Sequence, residues 1–462
     1  MSYYDTIAAV STPRGFGGVA MIRIAGPEAI AVGERMFVGS LPLSGVESNR
    51  AVYGKIYLEN VDGSRRCVDD GIAVAFRAPR SFTGEDTVEI TCHGGVLVTE
   101  TVLTAAFAAG ARPAEAGEFT RRAFVNGKLG LTEAEALGSL LVAGTQDQLD
   151  LARGGMSGAL ARGIEEIYAS LLAVSTAVRA KIDFPEEDLS ELTDEEIRVS
   201  LEETLALITK LAGTYRTGKA VAQGIPTVIC GRTNAGKSSL YNRMVGEDAA
   251  IVTDIEGTTR DVISETVSFG GVTLRLYDTA GLRKTDDPVE KIGIERARAA
   301  MEKAELIIAL FDGSRELDEE DLNSINEIKK ISAGTVAVIN KSDLPKSGDL
   351  RPVYEAFPDA IEISTLSGEG LDKLAARIGD AFIDRSLDLA GDAIVTNERQ
   401  YGALTLAARL LRGALEALEL GIPVDAVCSD IERAMSAVAG VDGREVGEDI
   451  VGAIFANFCV GK

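Results

Sequence analysis

The chain has 462 residues, enough for about three domains at roughly 100–200 residues each. Lys and Arg total 47 against 71 Asp and Glu, a formal charge of -24; this argues against a broad nucleic-acid-coating surface, because neutralising phosphates takes clustered cations. At 46% hydrophobic and 26% charged, the composition is that of an ordinary globular protein and excludes wholesale disorder.

No apolar run approaches the ~18 residues of a membrane-spanning helix. The opening Met-Ser-Tyr-Tyr-Asp-Thr has no basic segment before an apolar one, so no signal peptide and a cytoplasmic location are expected. Cys67, Cys92, Cys230, Cys428 and Cys459 are scattered without a C-x-x-C pair, which fits a reducing compartment and argues against zinc or a disulfide framework. The single histidine, His93 in Cys-His-Gly-Gly, reads as a turn residue and makes a Ser-His-Asp hydrolase a poor fit.

Residues 1–120 read as a mixed α+β block. Val19–Ile24 and Gly71–Phe76 are predicted strands, and Glu100–Ala109 is a predicted helix stopped by Gly110 and Pro113. In this block Arg23 and Glu85 sit in glycine-bearing surroundings. They read either as solvated or paired surface charges, or as a carboxylate clamp and an acceptor for an amino-pyrimidine edge. Residues 121–223 carry leucines at helical spacing, Leu137, Leu140 and Leu141, then Leu201, Leu205, Ile208 and Leu211. Strand and helix patterns then alternate over 224–383, with strands at Pro226–Cys230, Val272–Tyr277, Leu306–Phe311 and Thr335–Ile339. Residues 384–462 return to a helical stripe (Leu404, Leu410, Leu411, Leu415, Leu418). The expected architecture is multidomain: an α+β N-terminal domain, a discontinuous all-α helical domain, and an inserted α/β Ras-like P-loop G domain.

The strongest chemical signal is Gly231-Arg232-Thr233-Asn234-Ala235-Gly236-Lys237-Ser238, a full G-x-x-x-x-G-K-S placed after a strand and before the helical Ser239-Leu240. Such a loop wraps backbone N–H groups around phosphate oxygens; Lys237 reaches the β- and γ-phosphates and Ser238 ligates Mg²⁺. Asp278-Thr279-Ala280-Gly281 leaves a strand, with the Asp suited to Mg²⁺ through water and the Gly N–H to the γ-phosphate. Asn340-Lys341-Ser342-Asp343 ends another strand, and its Asp accepts from guanine N1–H and the exocyclic amine, selecting GTP over ATP. Thr258-Thr259 lies in the loop between, and Ser364-Thr365-Leu366 closes over the base with a departure from the usual Ser-Ala-Lys. Together these resemble the translation-factor-related GTPases.

Leu282 stands where many Ras-like GTPases keep a water-orienting Gln. Another polariser is therefore needed. Asn234 can bind a monovalent cation beside the β–γ bridge, with Thr253-Asp254-Ile255-Glu256-Gly257-Thr258 completing the oxygen shell. Glu290 is either an orienter of water or a solvated carboxylate at a helix start. Cys459, three residues before Lys462, is either a buried structural thiol or one activated by the lysine.

Motifs along nearly the whole chain resemble the MnmE (TrmE) family of tRNA uridine-modification GTPases: Asp5-Thr6-Ile7, Ser81 to Asp86, His93-Gly94-Gly95, Gly117 to Thr120, Asn126 to Leu129, Ile182 to Pro185, Ile292 to Arg296 and the terminal Phe-Cys-Val-Gly-Lys. The resemblance implies a folate-binding, dimerising domain at 1–120, a helical domain at 121–223 and 384–462, and the G domain at 224–383. It implies potassium-stimulated hydrolysis of GTP, with Asn234, Thr253, Ile255 and Thr258 on K⁺, Ser238 and Thr259 on Mg²⁺, and Glu290 orienting water. Arg23, Glu85, Lys128 and Lys462 would line a site for methylene- or formyl-tetrahydrofolate, and Cys459 would serve the modification. It further implies a homodimer joined to the FAD-bearing partner GidA (MnmG) in a heterotetramer that adds an aminomethyl-type group to carbon five of the wobble uridine of tRNA. A ribosome-assembly GTPase switch is the alternative; that class usually carries a basic RNA-binding module, which is not found here.

Overall fold

A seven-stranded sheet organises the N-terminal part of the computed structural model, which describes residues 5–60, 62–183, 193–247, 264–269, 272–277, 303–444, 447–456, 458 and 460–461. The chain divides into two units, Met1–Gly138 with Asp442–Lys462, and Ser139–Val441.

In the first unit the strands are β1 (Ile7–Val10), β2 (Val19–Ala25), β3 (Phe37–Gly39), β4 (Ala51–Glu59), β5 (Arg65–Phe76), β6 (Thr87–His93) and β7 (Arg112–Pro113), in the order β3-β4-β5-β6-β2-β1-β7. Alternation decides their faces. Ala20, Ile22 and Ile24 of β2 point inward with Ile56, Ala73, Ala75, Val88 and Ile90, and the helices Ala29–Met36 and Val96–Ala108 cover them with Val32, Met36, Val102 and Ala106. Near the β1 end, Ile7, Ala9, Ala25 and Phe119 make a smaller core with Phe82. Phe119 arrives on the helix Glu118–Val125, entered through Gly117 at φ 64, where a Cβ would meet the Phe455 carbonyl at 2.4 Å. The chain's end returns to this unit: Val460 bridges Ala116, and Ser11 Oγ donates to the Gly461 carbonyl at 3.0 Å.

Two expectations shift. The helix anticipated from Glu100 begins at Val96, because Gly95 supplies an extended cap and the following Val-Leu-Val packs as a helix although it reads as strand-like. His93 ends β6 instead of sitting in a turn. β1, β3, β4, β6 and β7 are additional to the strands anticipated from sequence.

In the second unit, the helices Ala159–Asp183 and Asp194–Gly213 share one core with Glu398–Glu419 and Val424–Asp442, including Ile164, Leu171, Ile197, Leu201, Ile208, Leu404, Leu411, Ile431 and Val438. The helical domain is thus discontinuous in sequence and continuous in space. Thr193 with Glu196 forms a capping box and Asn397 caps the later helix, which fixes where two of them start. Between lies a six-stranded sheet of β8 (Ile225–Gly231), β9 (Ser264–Phe269), β10 (Val272–Tyr277), β11 (Leu306–Asp312), β12 (Gly334–Asn340) and β13 (Ile361–Glu362), ordered β13-β12-β11-β8-β10-β9 and parallel except for β9. All of β11 is buried: Leu306, Ile308 and Leu310 feed one face, Ile307, Ala309 and Phe311 the other. The entering and leaving segments run together, with Thr214 Oγ1 accepting from Val395 N at 3.0 Å and Thr217 Oγ1 from Asp384 N at 2.9 Å. Neighbouring ends let one domain sit inside another.

Candidate functional site

β8 lies between β11 and β10, where the strand order reverses, so the loop after it opens at the sheet's switch point. Its backbone is left-handed at three places, Gly231 (φ 140), Asn234 (φ 65) and Gly236 (φ 106). A Cβ on Gly231 would meet the Leu310 carbonyl at 2.3 Å, and one on Gly236 would meet Asn340 Nδ2 at 2.0 Å, so both glycines are sterically required. The helix Lys237–Glu247 starts immediately after and directs its first N–H groups into the loop. Lys237 Nζ donates to the Gly231 and Arg232 carbonyls at 2.7 and 2.8 Å, and burial holds its pKa below the ordinary lysine value. A phosphate at this loop would give that charge a partner. Ala235 is buried beneath the loop, while Asn234, Ser238 and Ser239 are exposed on it.

Asn340 links three segments. Its Nδ2 donates to the Ala235 carbonyl at 2.9 Å and to Thr365 Oγ1 at 3.2 Å, and its Oδ1 accepts from Thr365 N at 3.0 Å. Asp343 Oδ1 accepts from the buried Ser364 hydroxyl at 2.5 Å, which in turn accepts from Ser367 N at 3.1 Å. Lys341, at φ 66, donates to Asp312 at 2.6 Å. Burial pushes the Asp312 carboxyl up, but Lys341 and Ser314 outweigh it and hold it below its usual value. Leu366 is 80% exposed at the mouth. Two basic residues went unread in the sequence. Arg243 donates to the Thr365 and Leu366 carbonyls at 3.2 and 2.9 Å, and Arg232 turns away from the loop to pair with Asp318 and Glu320.

In the first unit, Arg23 pairs with Glu89 at 2.8 Å and lies over the Phe82 and Phe119 rings at 5.4 and 5.7 Å. Glu85 pairs with Arg122 at 3.2 Å; burial raises its pKa against the pull of that guanidinium. Lys128 donates to the Pro79 carbonyl at 3.0 Å and packs its stem on Gly84, which brings it to the Glu85 loop. Arg122, Arg112, Asp5 and Glu118 complete a charged cluster that sequence reading did not identify. The Glu118–Arg122 spacing of four was its one visible trace, but spacing does not reveal burial. His93 Nδ1 lies 2.8 Å from Asp69, which raises the imidazole pKa, and Asp69, Asp70 and His93 offer donors within 4.8 Å of one another. Among the described residues no helix is long and apolar enough to cross a membrane.

Thr253, Asp254, Ile255, Glu256, Gly257, Thr258, Thr259, Asp278, Thr279, Ala280, Gly281, Glu290, Cys459 and Lys462 lie outside the described residues.

Residues 6–128 match the family described as GTP-binding protein TrmE N-terminus, and residues 131–459 match the MnmE helical domain. The tRNA modification GTPase MnmE of Geobacillus thermodenitrificans is 40% identical over 470 residues, covering 100% of both chains. The chain belongs to the MnmE family. A second MnmE, from Symbiobacterium thermophilum, is 41% identical over 462 residues and 99% of each chain. The family's N-terminal match contains Arg23, Glu85 and Lys128, and its helical match spans the inserted sheet. Among solved structures, the G domain of the T. maritima FeoB iron transporter is 22% identical, covering 33% of this chain and 96% of that one at a TM-score of 0.25, a likeness too partial to carry weight.

Proposed function

We propose that this protein is a potassium-stimulated GTPase that works with an FAD-bearing partner on tRNA. Using a one-carbon unit from tetrahydrofolate, the pair would install an aminomethyl-type group, carboxymethylaminomethyl or related, at carbon five of the wobble uridine. The reading assigns 1–120 to folate binding and dimerisation, 121–223 and 384–462 to the helical domain, and 224–383 to the G domain. It places the protein in the cytoplasm as a homodimer that meets the GidA (MnmG) partner in a heterotetramer. The observation that carries it is the loop of Gly231–Ser238 locked by Asn340 to Ala235 and Thr365, in a chain that belongs to the MnmE family.

The chain's own residues divide the work. The Gly231–Gly236 backbone and Lys237 hold the phosphates, and Asp343, aligned by Ser364, accepts from guanine. Ser238 at the helix start is a hard oxygen donor suited to Mg²⁺, with Thr259 the second; Mg²⁺ bound there neutralises charge on the phosphate oxygens. Asn234 presents an exposed amide from a left-handed position in the loop, a neutral oxygen suited to K⁺, with Thr253, Ile255 and Thr258 as the further ligands. Glu290 is assigned to orienting water and Cys459 to the modification. Arg23, Glu85, Lys128 and Lys462 are assigned to the reduced folate.

Purified chain and partner, supplied with GTP, K⁺ and a reduced folate, should convert wobble uridine in tRNA, read by nucleoside mass analysis. Unmodified uridine with GTP still consumed would favour an assembly switch. Replacing K⁺ by Na⁺ should slow hydrolysis by about tenfold or more, because the lost cation stabilises transition-state charge; equal rates would remove the cation assignment.

A further inference from the structure

We propose that Arg122 is the positioning residue of the folate subsite: from inside the fold it fixes the Glu85 carboxylate as an ionised, aimed acceptor for the amino-pyrimidine edge of a reduced folate. The proposal rests on the folate reading above and extends it to a side chain that touches no ligand.

Arg122 is 1% exposed. Its Nη1 donates to the Asp5 carbonyl at 2.9 Å and to Glu85 Oε2 at 3.2 Å, and its Nη2 donates to Asp5 Oδ1 at 2.7 Å and Glu118 Oε1 at 3.0 Å. A planar guanidinium offers donors on fixed vectors, so anchoring one edge aims the other. The anchor is firm. Glu118, also 1% exposed, is held by Arg112 at 2.6 and 2.9 Å and by Glu115 N at 2.8 Å.

Glu85 is fixed at both ends. Ser81 Oγ and Thr87 Oγ1 donate to its carbonyl at 2.6 and 3.2 Å, and its N–H donates to Thr83 Oγ1 at 3.2 Å. Its side chain keeps 18% exposure, so oxygen lone pairs not used by Arg122 remain open to a ligand. The charges point the same way. Among the described residues, Asp5, Glu85 and Glu118 pair with Arg112 and Arg122, three carboxylates on two guanidiniums, while Lys128 reaches the same loop through the Pro79 carbonyl. Burial, Asp5 and Glu118 favour a proton on Glu85, and Arg122 opposes them. A ligand edge carrying two N–H donors satisfies that surplus oxygen.

The test titrates the full-length chain with 5-formyltetrahydrofolate by calorimetry from about pH 4 to 8.5, a range that starts at the ordinary carboxylate value and runs above it. Wild type should weaken on the acid side. Arg122→Met should lose about tenfold or more in affinity at neutral pH, with its acid limb displaced to higher pH. Asp5→Asn removes a negative neighbour of Glu85 while leaving the residue 5 carbonyl on Arg122, so its limb should move to lower pH. A guanidinium that only supported the fold would not produce opposite displacements. Glu85→Gln combined with Arg122→Met should bind no more weakly than Glu85→Gln alone. Should Arg122→Met not fold, the Asp5→Asn limb still decides. An Asp5→Asn limb that stays put or rises, or losses that add in the double variant, would overturn the proposal alone. No binding by wild type would overturn the folate reading, and the proposal with it.

Discussion

The nucleotide loop and the Arg122 cluster are both built to hold charge, and they do so by opposite means. The loop spends eight consecutive residues, and its shape is backbone: left-handed turns at Gly231, Asn234 and Gly236 and a helix start at Lys237. The cluster draws Asp5, Glu85, Arg112, Glu118 and Arg122 from four separate stretches, and its shape is side-chain vectors held by ion pairs around the buried Arg122 and Glu118. A backbone device tolerates little change in residue size. A side-chain device tolerates little change in charge. Substitutions at the two places should therefore fail differently.

The largest effect is expected at Gly236→Ala. The added methyl would meet Asn340 Nδ2 at 2.0 Å from a φ of 106, so GTP affinity should fall by about a thousandfold, roughly 4 kcal/mol, and the strained loop should also lower the melting temperature. Wild-type affinity would show that the loop relaxes freely.

Next is Glu118→Gln, which removes the charge from the 1% exposed carboxylate that Arg112 and Arg122 share in the interior. The cost should be about 3 kcal/mol in urea unfolding, with nucleotide binding in the other unit unchanged. The same carboxyl sets a pH dependence. Burial raises Glu118, but Arg112, the Glu115 N–H and Arg122 lower it further, to a net value below the ordinary one. A group depressed in the folded state stabilises above its unfolded pKa and loses that contribution as pH falls through the folded value. Acid should therefore weaken wild type more steeply than Glu118→Gln; parallel acid curves would show that the pair is not linked to folding.

Asp343→Asn should lower GTP affinity by about a hundredfold and raise affinity for the xanthine nucleotide, since Ser364 still orients the group but its acceptor pattern is inverted. Unchanged GTP affinity would dismiss the base contact. The smallest effect concerns the exposed His93. Its hydrogen bond to Asp69 raises its pKa, so Asp69→Asn should bring the imidazole titration, followed by NMR, down toward the ordinary value. An unmoved titration would show that the pair does not persist in solution.

Local signals could be read in advance, and long-range ones could not. Val228, Ile229 and the fully buried β11 announced themselves as apolar runs, and the phosphate loop as contiguous glycines, because both signals are local. β4 and the outer half of β5 went unread: β4 alternates, burying Val52, Gly54 and Ile56, whereas Arg65, Arg66 and Cys67 of β5 are exposed and held to it by the backbone ladder. Arg23 was noticed, but its partner Glu89 stands 66 residues away and meets it only because β2 pairs with β6. Arg243 and Arg232 carried no signal of their own in the sequence, and it is the fold that turns one onto the Thr365 loop and the other toward Asp318.

The amino-acid order by itself determined the phosphate loop, the Asn340-Lys341-Ser342-Asp343 motif at a strand end, the alternation of strand and helix in the inserted segment and the family to which the chain belongs. Each depends on residues close together in sequence, or on whole-chain similarity. Only the tertiary structure decided that Arg122 is buried among three carboxylates, that Asn340 ties the phosphate loop to Thr365, and that the last residues return to the first strand. Burial and long-range pairing set the dielectric and the partners of a charge, and neither is written in the local spacing of residues.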